Sequence, residues 1–349
     1  MKNIVFTGGG TAGHIMPNLA IIEELKGYNI YYIGSSGMEK DIISKYKNIK
    51  FIEIPVVKFS RSLSIKNLTI PFKLISSINK TKKILKEIKP SLIFSKGGYV
   101  SIPACFAGHS LNIPVITHES DLSIGLANKI IAKKSKYLCC SFKTTADSYG
   151  KNAIFTGSPI RKKVLYGQKN IILQRHNITP SKPTILVVGG SQGARAINNI
   201  ILDNIDELTK KYNIIHIVGK NNKNTQKKYN YIQIEFANDI ENYFAASDVV
   251  ISRAGSNTIF ELLALKKPMI LIPLPKTKHS RGDQVDNAKY FEKNGFANVI
   301  NQESLTNDLL LKTINETLIN KSNFEKAMKN ANNTIGNSKI IELINKYLI

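Results

Sequence analysis

The chain has 349 residues, 42% of them apolar, and 49 Lys and Arg against 25 Asp and Glu, a formal net charge of +24. This length and apolar content suffice for two α/β cores and exclude a disordered chain. No apolar run approaches the roughly 18 residues of a membrane-crossing helix, and Cys105, Cys139 and Cys140, without C-x-x-C spacing or matching histidines, exclude a zinc module and fit a reducing cytosol.

In chain order, Asn3–Thr7 is a short apolar strand that runs into glycines, which reads as a β-strand entering a loop and not as a signal peptide. The following loop, Thr7-Gly8-Gly9-Gly10-Thr11-Ala12-Gly13-His14, places G-x-G-x-x-G between a strand and a helix. Free N–H groups and the helix dipole at such a turn suit an anion. A nicotinamide or flavin enzyme would carry an acidic residue at the end of the second strand to hold the ribose. Here that strand ends Ile33-Gly34-Ser35-Ser36, so the dinucleotide reading loses most of its weight and no cofactor is expected. His14, in the first turn of the helix, is the candidate general base.

Strands at Ile30–Ile33, Leu92–Ser95, Val115–His118 and Tyr137–Cys140 alternate with helices such as Pro17–Lys26 and Lys73–Ile88, the pattern of a parallel sheet with helices on both faces. Between Lys58 and Lys89 nine basic residues stand against one acid, Glu87, with Ile70, Phe72, Leu74 and Ile75 among them. A basic amphipathic helix of this kind suits an anionic membrane surface; an ordinary charged surface helix is the alternative. Nucleic acid is not expected as a partner, because the basic residues are not interleaved with aromatics in a recognisable binding fold.

The pattern restarts after Gly157-Ser158-Pro159, with strands at Thr184–Val188, Ile214–Val218, Val249–Ile251 and Met269–Ile272 and a helix at Ala194–Lys211. Two doubly wound sheets imply domains at 1–157 and 158–337 facing a central cleft, and 338–349 reads as a terminal amphipathic helix. Gly189-Gly190-Ser191-Gln192-Gly193 is a second strand-to-helix glycine loop whose N–H groups and Ser191 hydroxyl suit a diphosphate. In Ser252–Glu261, Gly255 to Asn257 form a turn into a helix, and Glu261 is an acid in an otherwise apolar stretch. A carboxylate there can accept from two ribose hydroxyls, and the amide of Gln284 in the next polar loop can both donate to and accept from a sugar.

These residues resemble the MurG family, peripheral membrane transferases that join N-acetylglucosamine to the lipid-linked muramyl-peptide precursor of the bacterial cell wall. The resemblance spans nearly the whole chain in seven ordered motifs: TGGGTAGHIMP (Thr7–Pro17), SKGGYVSIP (Ser95–Pro103), HESD…GLANK (His118–Lys129), TGSPIR (Thr156–Arg161), GGSQGAR (Gly189–Arg195), SRAGSNTIFE (Ser252–Glu261) and DQVDNA (Asp283–Ala288). It implies a GT-B fold of two Rossmann-like domains, the first binding acceptor and membrane and the second the UDP-sugar. The implied reaction is inverting transfer from UDP-N-acetylglucosamine to the muramyl 4-hydroxyl of lipid I, giving lipid II. With no D-x-D motif and its supporting ligands, no metal is expected.

Carried over position by position, the resemblance implies that Ser191 and Gln192 meet the donor diphosphate, that the backbone at Phe236-Ala237 reads the uracil edge, and that Ser256, Thr258 and Glu261 frame uridine and ribose. Gln284 would hold the sugar, and Thr11, Ala12, Gly13 and Arg161 would complete the donor site. Tyr99, His118 and Asn128 would serve the acceptor, with Glu119 and Asp121 as rivals to His14 for the role of base. The implied partners are UDP-N-acetylglucosamine, undecaprenyl-linked muramyl-peptide, the anionic cytoplasmic face of the cell membrane and other cell-wall-synthesis proteins. The terminal helix would pack back towards the first domain. Three departures from the family pattern stand out: Ala12 for a glycine, Ser120-Asp121 for Gln-Asn, and Ser158 for Asn. Two other readings remain: a different GT-B UDP-sugar enzyme (a glycolipid synthase or epimerase), against which the acceptor-side motifs argue, and a non-catalytic UDP-sugar sensor, which would need no base.

Overall fold

A computed structural model describes residues 1–56, 69–190, 192–277, 280–332 and 334–348. The chain divides into two compact units, Met1–Arg161 with Asn333–Ile349, and Lys162–Asn332. No helix among the described residues is long and apolar enough to cross a membrane.

Unit 1 opens with β1 (Asn3–Thr7), α1 (Ala12–Ile22), β2 (Asn29–Gly34), α2 (Met38–Ile43), β3 (Ile49–Glu53) and α3 (Ile70–Ile88). It continues through β4 (Leu92–Ser95), α4 (Ser101–Ser110), β5 (Val115–Glu119), α5 (Leu126–Ala132), β6 (Tyr137–Cys140), α6 (Lys143–Tyr149) and β7 (Ala153–Phe155). The strands pair in parallel in the order β3-β2-β1-β4-β5-β6-β7. Period-two alternation divides β1 between two cores: Ile4 and Phe6 pack with Ile15 and Leu19 of α1, whereas Val5 packs with Leu85 of α3 and Ile102 of α4.

Unit 2 holds α7 (Lys169–Arg175), β8 (Thr184–Val188), α8 (Arg195–Asp203), α9 (Ile205–Lys211), β9 (Asn213–Ile217), β10 (Tyr231–Ile234) and α10 (Ile240–Ala246). It ends with β11 (Val249–Ser252), α11 (Ser256–Ala264), β12 (Met269–Leu271), α12 (Asp283–Lys293), β13 (Ala297–Val299), α13 (Asn307–Ile319) and α14 (Lys321–Lys329). Its parallel sheet runs β10-β9-β8-β11-β12-β13. The chain then returns to unit 1 as α15 (Asn337–Asn345), whose Ile340, Leu343 and Ile344 join the core formed by Ile4, Phe6 and Ile15.

In both sheets the strand order reverses beside the first strand of the unit, between β1 and β4 and between β8 and β11. Such a switch point leaves an open crevice at the carboxyl ends of the two strands, where α/β sheets bind ligands. The loops after β1 and β4, and after β8 and β11, are those that carry the glycine-rich motifs.

Some local expectations need adjusting. The helix expected at Pro17–Lys26 begins at Ala12 and contains Pro17, so its first turn lies directly on the glycine loop. The helix expected at Ala194–Lys211 is two helices broken at Asn204, where φ is −109° and ψ 10° and the side chain bonds to the Ile200 carbonyl and Asn307. Polar side chains that bond the local backbone compete with the helix ladder in this way.

Candidate active site

In unit 1 the first glycine loop is held from below. Glu39, at the start of α2 and fully buried, accepts from the Gly10 N–H at 3.2 Å and the Ser35 N–H at 2.9 Å. A Cβ at Gly9 would lie 2.6 Å from the Glu39 carboxyl carbon, so only glycine leaves room for this carboxylate. Above the loop the Tyr99 ring lies against Gly10, and the Gly98 backbone packs on the Gly9 carbonyl and the His14 ring. His14 is half-buried in the first turn of α1, its Nδ1 3.0 Å from Thr11 Oγ1. Thr11 and Gly13 are exposed; Ala12 opens α1 and is not among the residues with positive φ, so its Cβ is accommodated without strain.

The end of β5 forms a second polar knot. Glu119, almost fully buried, accepts from the Asp121 N–H at 3.0 Å with Oε1 and from the Gly125 N–H and Asn128 Nδ2 at 2.9 and 3.0 Å with Oε2. Asn128 also donates to the His118 carbonyl and accepts from Thr117 Oγ1. His118 is fully buried with Nε2 3.1 Å from the Gly157 carbonyl, and its Nδ1 has no hydrogen-bond partner among the described residues. Burial, and then the charge of Lys96, hold His118 well below the ordinary histidine range, so the ring is neutral. Lys96 itself is buried, donates to Ser120 Oγ, and is pulled down to about 8 by burial against the opposing charges of Glu119 and Asp121. The Ser120-Asp121 departure therefore comes with a lysine seated on it. Arg161 is half-buried at the end of the first stretch of unit 1.

In unit 2 Ser191 lies outside the described residues. The loop around it is set by Gly193, which has φ +74° and whose Cβ would stand 2.0 Å from the Val218 carbonyl oxygen. Asn222 donates to the carbonyl of the exposed Gln192. Behind the loop, Asn198 of α8 donates to the Val218 carbonyl and accepts from His216 Nε2, while His216 Nδ1 accepts from Tyr231 Oη. Burial lowers His216 to about 4, consistent with that neutral tautomer.

After β11, Gly255 caps α11, and a Cβ there would meet nothing within 4 Å. The helix begins at Ser256, so its free N–H groups and dipole face this open space. Thr258 and Glu261, three residues apart, share the partly exposed face of α11, whereas Ile259, Phe260, Leu262 and Leu263 are buried. Arg253 straps the strand ends together by donating to the Ile272 and Pro273 carbonyls and to Gln302, and burial lowers its basicity. Gln284 at the start of α12 accepts from the Leu274 N–H at 3.0 Å, and the buried Asn287 one turn later donates to the Ala254 carbonyl. Ala237 is partly buried in the turn after β10, beside the exposed Phe236. No group of three or more His, Cys, Asp or Glu among the described residues is arranged to hold a metal ion.

Glycosyltransferase family 28 matches this chain twice, its N-terminal domain at residues 4–138 and its C-terminal domain at residues 184–344. A Clostridium tetani protein named UDP-N-acetylglucosamine--N-acetylmuramyl-(pentapeptide) pyrophosphoryl-undecaprenol N-acetylglucosamine transferase is 44% identical over 353 residues, covering 99% of this chain and 98% of that protein. The chain belongs to the MurG family. In fold it resembles the crystal structure of Acinetobacter baumannii MurG, with TM-score 0.78 at 24% identity over 99% of this chain and 100% of that one. It also resembles the Neisseria meningitidis UDP-GlcNAc 2-epimerase bound to UDP-GlcNAc, with TM-score 0.66 at 16% identity over 100% and 99% of the two chains.

Within this MurG-family chain the structure brings Thr11, Ala12, Gly13, His14 and Tyr99 together around one loop of unit 1, and His118, Glu119 and Asn128 into one hydrogen-bonded group. Ser256, Thr258 and Glu261 share α11. The residues that sequence reasoning missed are the supports: the buried Glu39, Lys96, His216 and Asn287 and the half-buried Arg253. Three of them sat inside quoted motifs, Lys96 in SKGGYVSIP, Arg253 in SRAGSNTIFE and Asn287 in DQVDNA; Glu39 and His216 carried no motif.

Proposed function

We propose that this chain transfers N-acetylglucosamine from UDP-N-acetylglucosamine to the 4-hydroxyl of the undecaprenyl-linked muramyl-peptide lipid I, yielding lipid II with inversion at the anomeric carbon. The observation that carries this reading is the 44% identity along 99% of the chain to a transferase of that name. Motif residues at both switch points support it.

The work divides between the units. In unit 2 the α11 N-terminus and the Gly193 loop meet the anionic donor, and Glu261 accepts from the ribose hydroxyls while Thr258 lies one turn away. Ser256, Gln192, the backbone at Ala237 and the amide of Gln284 complete the donor contacts, with Ser191, Thr11, Ala12, Gly13 and Arg161 assigned by family resemblance. In unit 1 His14 removes the proton from the acceptor hydroxyl as the anomeric carbon is attacked, and UDP leaves. Glu119 organises instead of reacting: its two oxygens already accept three hydrogen bonds from the 121–128 segment. Tyr99, His118 and Asn128 shape the acceptor side.

The exposed face of α3 serves the membrane. Phe72 and Ile75 are 76% and 56% exposed and, with Ser76, Asn79, Lys80 and Lys83, line a surface groove of about 470 Å³. The opposite face, Ser77, Thr81, Leu85 and Ile88, is buried. Lys58, Arg61 and Lys66 of the basic stretch lie outside the described residues.

The deciding assay is UDP release from UDP-N-acetylglucosamine with and without a lipid-linked muramyl-pentapeptide. Acceptor-dependent release is expected, with a donor KM raised about tenfold or more in Glu261→Ala and kcat lowered about 100-fold or more in His14→Ala. Donor binding with no release under any acceptor would refute the reading and leave a sensor.

A further inference from the structure

Glu39 is a carboxylate at 0% exposure with no role in the scheme above. Its Oε2 accepts from Gly10 N–H, and its Oε1 accepts from both the N–H and the hydroxyl of Ser35. Two glycines make its room: a Cβ at Gly9 would come 2.6 Å from its carboxyl carbon, and one at Gly34 would come 2.7 Å from its Cγ. The neighbouring Lys40 pairs with Glu53 instead, at 3.0 Å. A carboxylate so enclosed, held by neutral donors, projects its charge into its surroundings more strongly than a surface acid does.

We propose that Glu39 is a positioning residue for the transfer step: an internal anion that fixes the first glycine loop and favours the protonated form of His14. This rests on the reading of His14 as the base. The Gly9–Gly10 backbone lies between the two. Glu39 lies under Gly9 and Gly10; the Gly9 carbonyl oxygen would be 2.7 Å from a Cβ on Gly98, and His14 Nδ1 3.3 Å from the same point. Among the described residues, the titratable groups placed against Glu39 and the loop are Tyr32 on β2, Tyr99 after β4 and Lys96 just after β4. Burial first, and Glu39 after it, raise both tyrosines, which leaves them neutral. Lys96 turns its ammonium to Ser120.

When Nδ1 donates to Thr11 Oγ1, Nε2 carries the lone pair that takes the acceptor proton. The imidazolium so formed is stabilised by the carboxylate behind the loop. The same carboxylate already occupies the Gly10 N–H. No covalent change occurs at Glu39.

The test compares wild type, Glu39→Gln and Ser35→Ala by three readouts: kcat and both KM values in the UDP-release assay, the acid limb of the pH–rate profile, and the His14 pKa from imidazole NMR of the free enzyme. Glu39→Gln is expected to lower kcat about tenfold, leave the UDP-N-acetylglucosamine KM within about twofold, and lower the His14 pKa and the acid limb together by about half a unit or more. Ser35→Ala keeps the charge and is expected to leave the His14 pKa in place. If Glu39→Gln does not fold, Glu39→Asp, which withdraws the carboxylate by one methylene, is expected to move the pKa in the same direction by less. A His14 pKa unmoved in the folded variant overturns the proposal. His14→Ala separates the two readings: if it retains the acid limb, His14 is not the base, whatever Glu39 does.

Discussion

Asn337 and Ile160 form a closed pair of hydrogen bonds. The Ile160 N–H donates to Asn337 Oδ1 at 2.8 Å, and Asn337 Nδ2 donates back to the Ile160 carbonyl at 3.0 Å. The same Nδ2 reaches the Ala20 carbonyl of α1 and Glu24 just beyond that helix, so one 3%-exposed amide ties the returning α15 to the end of the first stretch of unit 1. Replacing it with alanine leaves the Ile160 N–H and carbonyl buried and unpaired. Asn337→Ala is expected to destabilise unit 1 by about 2–3 kcal/mol, read as a lowered urea midpoint. Asn337→Asp is expected to be worse at neutral pH, since it sets a carboxylate against two carbonyls and Glu24.

Lys96 carries a cost that depends on pH. Its folded pKa, lowered to about 8, lies below the unfolded value, so between the two the unfolded chain binds more protons and stability rises with pH. The penalty is complete below about 8 and relieved by about 10.4. Lys96→Met is therefore expected to stabilise the protein by about 1–3 kcal/mol at pH 7, with the gain over wild type shrinking between pH 8 and 10.5 in paired denaturation curves. A gain independent of pH would show that packing and not charge is responsible.

The fold was legible because its signals are local. Asn3–Thr7, Leu92–Ser95, Tyr137–Cys140 and Thr184–Val188 are short apolar runs ending in turns, and each is a strand with those bounds. Strands β3, β7, β10 and β13 escaped notice: all four are sheet edges with partly exposed patterns, and β7 and β13 are only three residues long. Around the site, residues such as His14 and Glu261 were readable because glycine turns and helix starts mark their positions. The supports were not. Glu39 is an acid in a polar segment, and only the β2–α2 turn, a tertiary event, carries it under the loop 29 residues away. Likewise His216 finds Asn198 and Tyr231 across neighbouring elements, a pairing that no spacing announces.

His216 gives unit 2 an acid-sensitive element. Its folded pKa of about 4 lies below the unfolded value of about 6.5. As pH falls through that window the unfolded state takes up a proton that the folded state refuses, and stability is lost. The loss is expected to approach about 3 kcal/mol near pH 4. His216→Leu forfeits the bonds to Tyr231 and Asn198 and is less stable at pH 7, yet its stability is expected to fall less steeply between pH 6.5 and 4. Equal slopes for the two proteins in that window would rule out the histidine as the origin.

The membrane role of α3 can be tested with its two contributions separated. Lys80, Lys82, Lys83 and Lys86 follow the exposed Phe72 and Ile75 along one helix whose other face is buried in unit 1. Each lysine near an anionic surface contributes about 1 kcal/mol, and the attraction is screened by salt. Neutralising all four is expected to weaken binding to vesicles containing about one-third anionic lipid by roughly 100-fold or more, and to remove most of its salt dependence. Phe72→Ala with Ile75→Ala is expected to weaken binding about tenfold while leaving the salt dependence intact, because it removes buried apolar area and no charge. None of these side chains belongs to the buried face, so thermal midpoints should hold within a few degrees. Vesicle binding unchanged in both variants would return α3 to the role of an ordinary charged surface helix.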